Sequence, residues 1–331
     1  MQTYRSIADV PYVRASVVTV GTFDGVHRGH QVIIERLLRY ASSTGTRSVV
    51  VTFEPHPRIV LQRSSQAPIS LLTTFSEKHA LLQRMGIDVL VVIPFTFEFA
   101  NTTAEEFVRQ VLVERIGLQH IVIGYDHSFG KDRGGDEQLL RRLGVELGFS
   151  VERVEPVLVD GETVSSTRIR HALLSGNIEK ANSMLGYPFS IEGIVVEGDG
   201  RGRRLGYPTA NIELLDQHKI LPGNGVYCIT STVDGVPLQG MANIGIRPTF
   251  TDSANIRLEA HFFDFSGYLY GRKIVLSFHK YIRPERRFES VDMFWSQLQE
   301  DRECCERYFA TMSSELLNNS EVSDAHKRTE S

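Results

Sequence analysis

Cysteine is scarce in this chain. Cys228, Cys304 and Cys305 are the only three among 331 residues, too few and too poorly spaced for a disulfide framework or a tetrahedral zinc site. A reducing, cytoplasmic setting fits best. The opening "MQTYRSIADVPYVRAS" lacks the continuous apolar core of a signal peptide, and no apolar run is long enough to cross a bilayer. The chain is therefore expected to be neither secreted nor embedded in a membrane. An excess of positive charge is missing too. Lys and Arg number 36 against 40 Asp and Glu, a formal net charge of -4, so the basic footprint of a backbone-gripping nucleic-acid binder is absent and no nucleic-acid partner is expected. Small anionic ligands need only a local site and stay open. No internal repeat is evident, and the sequence does not disclose an oligomeric state.

What is present is a core. With 41% apolar residues, a chain of this length buries a substantial interior and favours two domains over one. From Ala15 to about Val154 the runs "SVVTV", "SVVVTF", "DVLVVIP", "HIVIG" and "FSVERV" alternate with amphipathic stretches, the pattern of parallel strands joined by crossover helices. The predicted fold is a doubly wound α/β sheet. Thr103 followed by Glu106 reads as a capping box opening "AEEFVRQVLVERIG", and Gly117 as its stop. Near Gly186 the pattern changes to short β-like runs, "SIEGIVVEG", "GVYCITSTV", "GVPLQGMANIG", "IRLEAHFFDF" and "RKIVLSFHKYI", joined by Gly, Pro, Asp and Asn turns. That spacing predicts an antiparallel barrel or sandwich. "VDMFWSQLQEDRECCERYF" predicts a closing helix with one face on the barrel, and the polar tail after it is expected to be disordered. The expected domains are 1–185 and 186–310, with 311–331 as the tail.

The stretch "GTFDGVHRGH", residues 21–30, stands where a strand becomes a helix. In an open α/β sheet that position offers an anion unpaired helix amides and a partial positive charge. Gly21, Gly25 and Gly29 let backbone approach a phosphate, and His27 and His30 sit one helical turn apart on one side. A zinc reading needs a further ligand and the Glu-containing spacing of metalloprotease helices, which is absent. An isolated histidine pair is by default filler, but the glycines and the strand-to-helix position favour phosphate. Two weaker signals point to the same rim. "IGYDHSFGKDRGG" leaves a strand through a loop carrying Asp126, Lys131 and Arg133, and "VSSTRIRHALLSG" opens a helix with hydroxyls, Arg168 and Arg170.

Together, "HRGH" and "SSTRIR" resemble the nucleotidylyltransferase superfamily. "GTFDGVHRGHQ", "TFEPHP" and the loop after Gly124 look more narrowly like the FMN adenylyltransferase half of the bacterial bifunctional riboflavin kinase/FAD synthetase family, over most of residues 15–185. The resemblance implies that His27 and His30 contact ATP phosphates. It also implies that Ser166, Thr167 and Arg170 hold the nucleotide, that Gly21 and Phe23 belong to the same ATP site, and that Asp126 and Arg133 lie on a flavin or nucleotide loop. Relatives commonly have "DFRFG" where this chain has "DHSFG", which puts His127 and Ser128 in place of an aromatic and an arginine. The implied chemistry agrees with the residues. A phosphate nucleophile is already ionised and pyrophosphate leaves readily, so positioning and charge stabilisation suffice without a strong base.

In the second half, "EGDGRGRRLGYPTANI" is a Gly/Arg loop followed by Pro208, Thr209, Ala210 and Asn211. If the tetrad starts a strand, Thr209 and Asn211 share a face, and a hydroxyl and an amide oxygen are hard ligands suited to Mg²⁺ on ATP phosphates. Glu259, inside the aromatic strand "RLEAHFFDF", is either a paired structural charge or a positioned base. Phosphate transfer to an uncharged alcohol needs such a base. "GYPTANI", "ANIGIRPTF" and "LEAHFFDF" are similar to the riboflavin kinase domain, a small β-barrel, over nearly all of residues 186–310. That resemblance assigns Gly202, Thr209 and Asn211 to ATP, Thr209 and Asn211 to Mg²⁺, and Glu259 to the base on the ribityl hydroxyl. Tyr187 stands where many relatives carry arginine. The expectation is an enzyme that uses ATP and Mg²⁺ to convert riboflavin to FMN and FMN to FAD, with small-molecule partners only. The alternatives are a kinase with a binding-only first domain and a non-catalytic flavin sensor.

Overall fold

The computed structural model describes residues 1–62, 69–198, 207–247 and 255–329. By backbone contacts they divide into two compact units. One comprises residues 1–171, 183–186 and 218–220, and the other 172–182, 187–217 and 221–331.

The first unit is built on six strands: β1 (Gln2–Tyr4), β2 (Ser16–Val20), β3 (Ser48–Glu54), β4 (Val89–Pro94), β5 (Leu118–Gly124) and β6 (Ser150–Val154). They lie in the order β1-β4-β3-β2-β5-β6, and every pairing is parallel. The five longer strands fall on the apolar runs of the sequence. β1 was not foreseen, because three polar residues at an edge carry no periodicity. Alternation along each strand feeds two cores. Val18, Val20, Val49 and Val51 pack with Phe107, Val108 and Leu112 on one face, while Val17, Val50 and Leu90 pack with Ile34, Leu37 and Leu82 on the other. Helices cover both faces: α1 (Arg28–Thr44), α2 (Pro57–Val60), α3 (Phe75–Arg84), α4 (Ala104–Glu106, continued as a π-helix over Phe107–Ile116) and α5 (Glu137–Leu147). This is the doubly wound sheet the sequence predicts. A small hairpin, β7 (Leu158–Val159) and β8 (Glu162–Thr163), precedes α6 (Ser166–Leu174) and α7 (Ile178–Leu185).

The capping box of α4 is formed: Thr103 Oγ1 accepts from the Glu106 amide at 3.2 Å, and the Thr103 amide donates to Glu106 Oε2 at 2.9 Å. The helix stops at Gly117, which has φ +84°.

In the second unit β9 (Phe189–Val196), β10 (Ala210–Leu214), β11 (Gly225–Val233), β12 (Val236–Arg247), β13 (Asn255–Phe262) and β14 (Lys273–Arg283) form a closed antiparallel barrel in the order β10-β13-β12-β11-β14-β9. The barrel alternative of the sequence reading is the one realised. β11 is buried on both sides, because Cys228 and Val226 lie under Cys305 and Phe309 of the last helix, α8 (Val291–Thr329). Arg283 fixes that helix through a forked pair with the buried Asp301, at 2.9, 3.0 and 2.7 Å. The stretch from 311 onward, expected to be disordered, is helical as far as Thr329. Its polar residues include neither proline nor glycine, so nothing in them breaks a helix already nucleated on the barrel. No helix among the described residues is long and apolar enough to cross a membrane.

The stop at Gly117 is tight as well as left-handed, since a Cβ there would lie 2.2 Å from the Val13 carbonyl oxygen. Gly117→Ala is expected to lower the stability of the first unit by more than about 1 kcal/mol in denaturant unfolding followed by circular dichroism. An unchanged midpoint would contradict the packing described.

Candidate functional site

The strand order reverses at β2. β3 and β4 lie to one side of it and β5 and β6 to the other, so a crevice opens between the loops that leave the C-terminal ends of β2 and β5. The loop after β2 is held in a costly shape. Phe23, Gly25 and Val26 have φ of +49°, +85° and +36°, and non-glycine residues in this region cost on the order of 1–3 kcal/mol each. Buried hydrogen bonds offset that cost. The Asp24 carboxylate accepts from the amides of Leu72 at 2.9 Å and Thr73 at 3.0 Å, and it pairs with Arg170. The Asp24 carbonyl accepts from Ser166 Oγ at 3.0 Å, and the Gly25 amide donates to Thr73 Oγ1 at 2.9 Å. From beneath, the buried Lys78 ammonium donates to the Thr22 carbonyl at 3.1 Å and to Thr52 Oγ1 at 3.3 Å.

His27 is the N-cap of α1, and its Nδ1 accepts from the His30 amide at 3.4 Å. The two imidazoles stack with centroids 3.7 Å apart, and Phe23 meets His30 edge-on at 5.1 Å. A third histidine, His56, caps α2 by accepting from the Arg58 amide at 3.1 Å. Burial drives the basicity of all three down. His27 and His56 fall to about 4 despite the nearby Asp24, while His30 falls well below its ordinary value, with His27 and Lys78 adding to the effect of burial. Burial also lowers Lys78, which Glu54 and Asp24 hold up, and Arg170, which Asp24 holds up. At neutral pH the imidazoles are uncharged donors, and fixed positive charge comes from arginine, lysine and the helix end.

Gly21, Phe23, His27, His30, Asp126, Arg133, Ser166, Thr167 and Arg170 all line one cleft of about 930 Å³, with Lys131 on the same rim. Arg168 does not line it and is paired with Glu162 at 2.7 Å. One wall is aromatic: Phe53, Phe95, Phe99, Phe107 and Phe129 follow one another with centroids 5.8 to 6.5 Å apart. The sequence reading missed that wall, and it missed Asp24, His56, Lys78 and Lys219. The Lys219 ammonium is buried between the Leu72 carbonyl at 2.7 Å and Glu77 Oε2 at 2.6 Å, and residues 218–220 bridge Leu71 in parallel. Asp24, inside "GTFDGVHRGH", and His56, inside "TFEPHP", stand in motifs with a local signal. The lysines look like solvated surface until their distant partners are known.

In the barrel unit, register does the assembling. Asn211 on β10 stands opposite Glu259 on β13, and Glu259 stands opposite Asn243 on β12. Their neighbours Ala210, Ile212, Leu258, Ala260, Ala242 and Ile244 are buried in the barrel, so the three polar residues share its outer side. Thr209 is the residue just before β10. Arg257 lies 4.0 Å from the Glu259 carboxylate. A Cβ on Gly198 would stand 2.0 Å from Asn211 Nδ2, so only glycine leaves that amide its place. A hydroxyl, amide oxygens and a carboxylate are oxygen donors of the kind that suit Mg²⁺ on phosphates. Gly202 lies outside the described residues. Among the described residues no group of three or more His, Cys, Asp or Glu is arranged to hold a metal ion.

His27, His56 and also His127, lowered to about 4 by burial, should remain neutral in an NMR titration until the pH approaches about 4. Each takes up a proton less readily folded than unfolded, where the ordinary value is 6.5. Their contribution to stability is therefore present above that value and is lost as the pH falls from about 6.5 towards about 4. A His27 midpoint near its ordinary value would contradict this burial.

The family model described as FAD synthetase matches residues 10–168, and the one described as riboflavin kinase matches residues 185–309. The chain is 39% identical over 302 residues to the bifunctional riboflavin kinase/FMN adenylyltransferase of Pseudomonas fluorescens, covering 91% of this chain and 96% of that relative. It is 38% identical over 296 residues to the protein so described from Escherichia coli (strain K12), covering 88% and 92%. A solved structure described as a macrolide-efflux protein from Streptococcus pneumoniae matches with a TM-score of 0.83 at 33% identity, over 92% of this chain and 98% of the other. With both family models in this order and such identity along nearly the whole length, the chain belongs to the bifunctional riboflavin kinase/FMN adenylyltransferase family.

Proposed function

We propose that this chain spends ATP twice on one flavin: its barrel unit phosphorylates riboflavin to FMN, and its α/β unit adenylylates FMN to FAD with release of pyrophosphate. The observation that supports this best is the cleft in which the histidine pair at the start of α1 meets Ser166, Thr167 and Arg170 at the start of α6. In the adenylyl transfer a phosphate oxygen of FMN attacks the α-phosphorus of ATP, and the bond to pyrophosphate breaks. His27 and His30 supply neutral N–H donors to the phosphates, and Gly21 and Phe23 supply close backbone. Arg170 keeps free guanidinium N–H groups for the nucleotide, while its Nε is held by the Ser70 carbonyl at 2.7 Å and its orientation by Asp24. Asp126 and Arg133 flank the acceptor, and the aromatic wall takes the flavin ring.

In the kinase reaction the terminal ribityl hydroxyl of riboflavin attacks the γ-phosphorus of ATP, the bond from that phosphorus to the β-phosphate oxygen breaks so that ADP leaves, and Glu259 takes the hydroxyl proton. Thr209 and Asn211, with Gly202 in the preceding loop, belong to the ATP site. Thr209 and Asn211 would hold Mg²⁺, which when bound neutralises phosphate charge. The residues 1–185 form the adenylyltransferase and 186–310 the kinase in this reading. The substrates and three free cysteines fit a cytoplasmic enzyme whose partners are small molecules.

The test is to incubate the full chain with riboflavin, ATP and Mg²⁺ and to resolve the flavins by chromatography. Both FMN and FAD are expected, and absence of both would overturn the proposal. Glu259→Ala should abolish FMN formation and leave FAD formation from supplied FMN. His30→Ala should do the reverse, slowing adenylyl transfer by roughly 100-fold, the loss of about 3 kcal/mol that a preorganised donor is worth. Loss of both activities by either folded variant would refute the division of labour.

A further inference from the structure

Ser70, Leu71, Leu72 and Thr73 belong to no helix or strand beyond a single bridge at Leu71, yet the cleft of the first unit hangs on them. The Ser70 carbonyl accepts from Arg170 Nε at 2.7 Å, and the amides of Leu72 and Thr73 donate to the Asp24 carboxylate at 2.9 and 3.0 Å. Thr73 Oγ1 accepts from the Gly25 amide at 2.9 Å, and a Cβ on Gly25 would lie 2.8 Å from the Leu72 side chain. These consecutive residues thus set both Arg170, which holds the nucleotide in the scheme above, and the loop that leads to His27. A buried segment without a ladder of its own must have its backbone groups satisfied from elsewhere.

That support comes from residues 218–220, which lie between β10 and β11 in sequence but within the first unit by backbone contacts. The Leu71 amide donates to the His218 carbonyl at 2.6 Å, and the Ile220 amide donates to the Leu71 carbonyl at 2.9 Å. Between those two bonds the Lys219 ammonium donates to the Leu72 carbonyl at 2.7 Å and to Glu77 Oε2 at 2.6 Å. Two successive peptide planes are therefore held at both ends. In one, Ile220 holds the Leu71 carbonyl and the Leu72 amide meets Asp24. In the next, Lys219 holds the Leu72 carbonyl and the Thr73 amide meets Asp24. A trans peptide group is rigid, so fixing its carbonyl aims its N–H, and hydrogen bonds at its two ends polarise one another. The Lys219 side chain is only 2% exposed, which puts it out of reach of a substrate and leaves it to act through the peptide it holds.

We propose that Lys219 is a positioning residue of the adenylyl-transfer site: through the Leu72–Thr73 peptide it sets the Asp24 carboxylate, and through Asp24 the guanidinium of Arg170. The proposal rests on the function assigned above. A buried Lys–Glu pair alone would bear on stability only. What ties Lys219 to the reaction is its second acceptor, one peptide group away from the carboxylate that orients Arg170. Small displacements of such a group are costly, because positioning supplies much of the rate in a transfer that needs no strong base. The adenylyl-transfer site thereby draws on a residue from the 186–310 stretch of sequence.

The test uses the full chain and removes the donor without leaving a buried charge alone. Lys219→Met/Glu77→Gln replaces both members of the pair by neutral side chains, and glutamine can still close the capping box of α3. Glu77→Gln by itself keeps the donor on Leu72 and serves as the control. The double variant is expected to lower kcat/KM for ATP in FAD formation about 10-fold, the size of one charge-assisted hydrogen bond. Riboflavin phosphorylation by the same variant should stay within about 2-fold of the parent, and FAD formation by the control within about 3-fold. In an Arg170→Ala background the same double change should cost less than about 3-fold, because the route to the nucleotide is already cut. Equal losses in both backgrounds, an equal loss in the kinase reaction, undiminished FAD formation in the double variant, or a control as impaired as the double variant would each overturn the assignment. If the parent chain forms no FAD, the proposed reaction fails. The His27 imidazole resonance, expected to shift in the double variant and to stay in place in the control, then still decides whether Lys219 sets the cleft.

Discussion

The Asp24 carboxylate is the point on which the first unit's cleft depends. It is buried, it accepts from the amides of Leu72 and Thr73, and it faces Arg170, while its own carbonyl receives Ser166. Segments far apart in sequence thus meet at one residue inside a loop whose backbone is strained on both sides of it. The connection continues outward, since Leu72 offers its carbonyl to Lys219 and Lys219 reaches Glu77, which closes the capping box of α3. Removing one member of a buried charge pair leaves the other unsatisfied, which is why such a constellation is far more sensitive to single changes than exposed ion pairs are.

The electrostatic character of the cleft follows from that frame. Three histidines are packed too deeply to carry charge at neutral pH, and of the buried cations Arg170 is paired with Asp24 while Lys78 is held by the Thr22 carbonyl and the Thr52 hydroxyl. Phosphates entering such a site would meet fixed dipoles and cations that need no reorganisation, which is the condition under which electrostatic stabilisation is most effective. The barrel presents the complementary case. There a carboxylate, Glu259, is set by strand register between two asparagines on the outer side of the barrel.

Much of this was legible in the sequence, and the reasons are physical. Parallel strands buried on both faces read as continuous apolar runs, so β2 to β5 could be placed, and Thr103, Glu106 and Gly117 announce their helix by local chemistry alone. The loop "GTFDGVHRGH" was recognisable because glycine spacing and a strand-to-helix junction are local features. Lys78 and Lys219 were not, because their partners lie 26 to 147 residues away in sequence. Likewise Asn243 acquires meaning only through its pairing with Glu259, and the phenylalanines of the cleft wall come from separate segments that each look like ordinary core. The helix through the tail was missed because polar composition says how little surface a segment can bury, and says nothing of a helix extended from a docked turn.

The central claim is that one chain transfers two different parts of ATP to the same flavin. It is tested most directly by incubating the chain with riboflavin, Mg²⁺ and ATP labelled at either the γ- or the α-phosphorus. The account predicts γ-label in both FMN and FAD and α-label in FAD alone. Label from the α-position in FMN, or a flavin pool without either label, would contradict it.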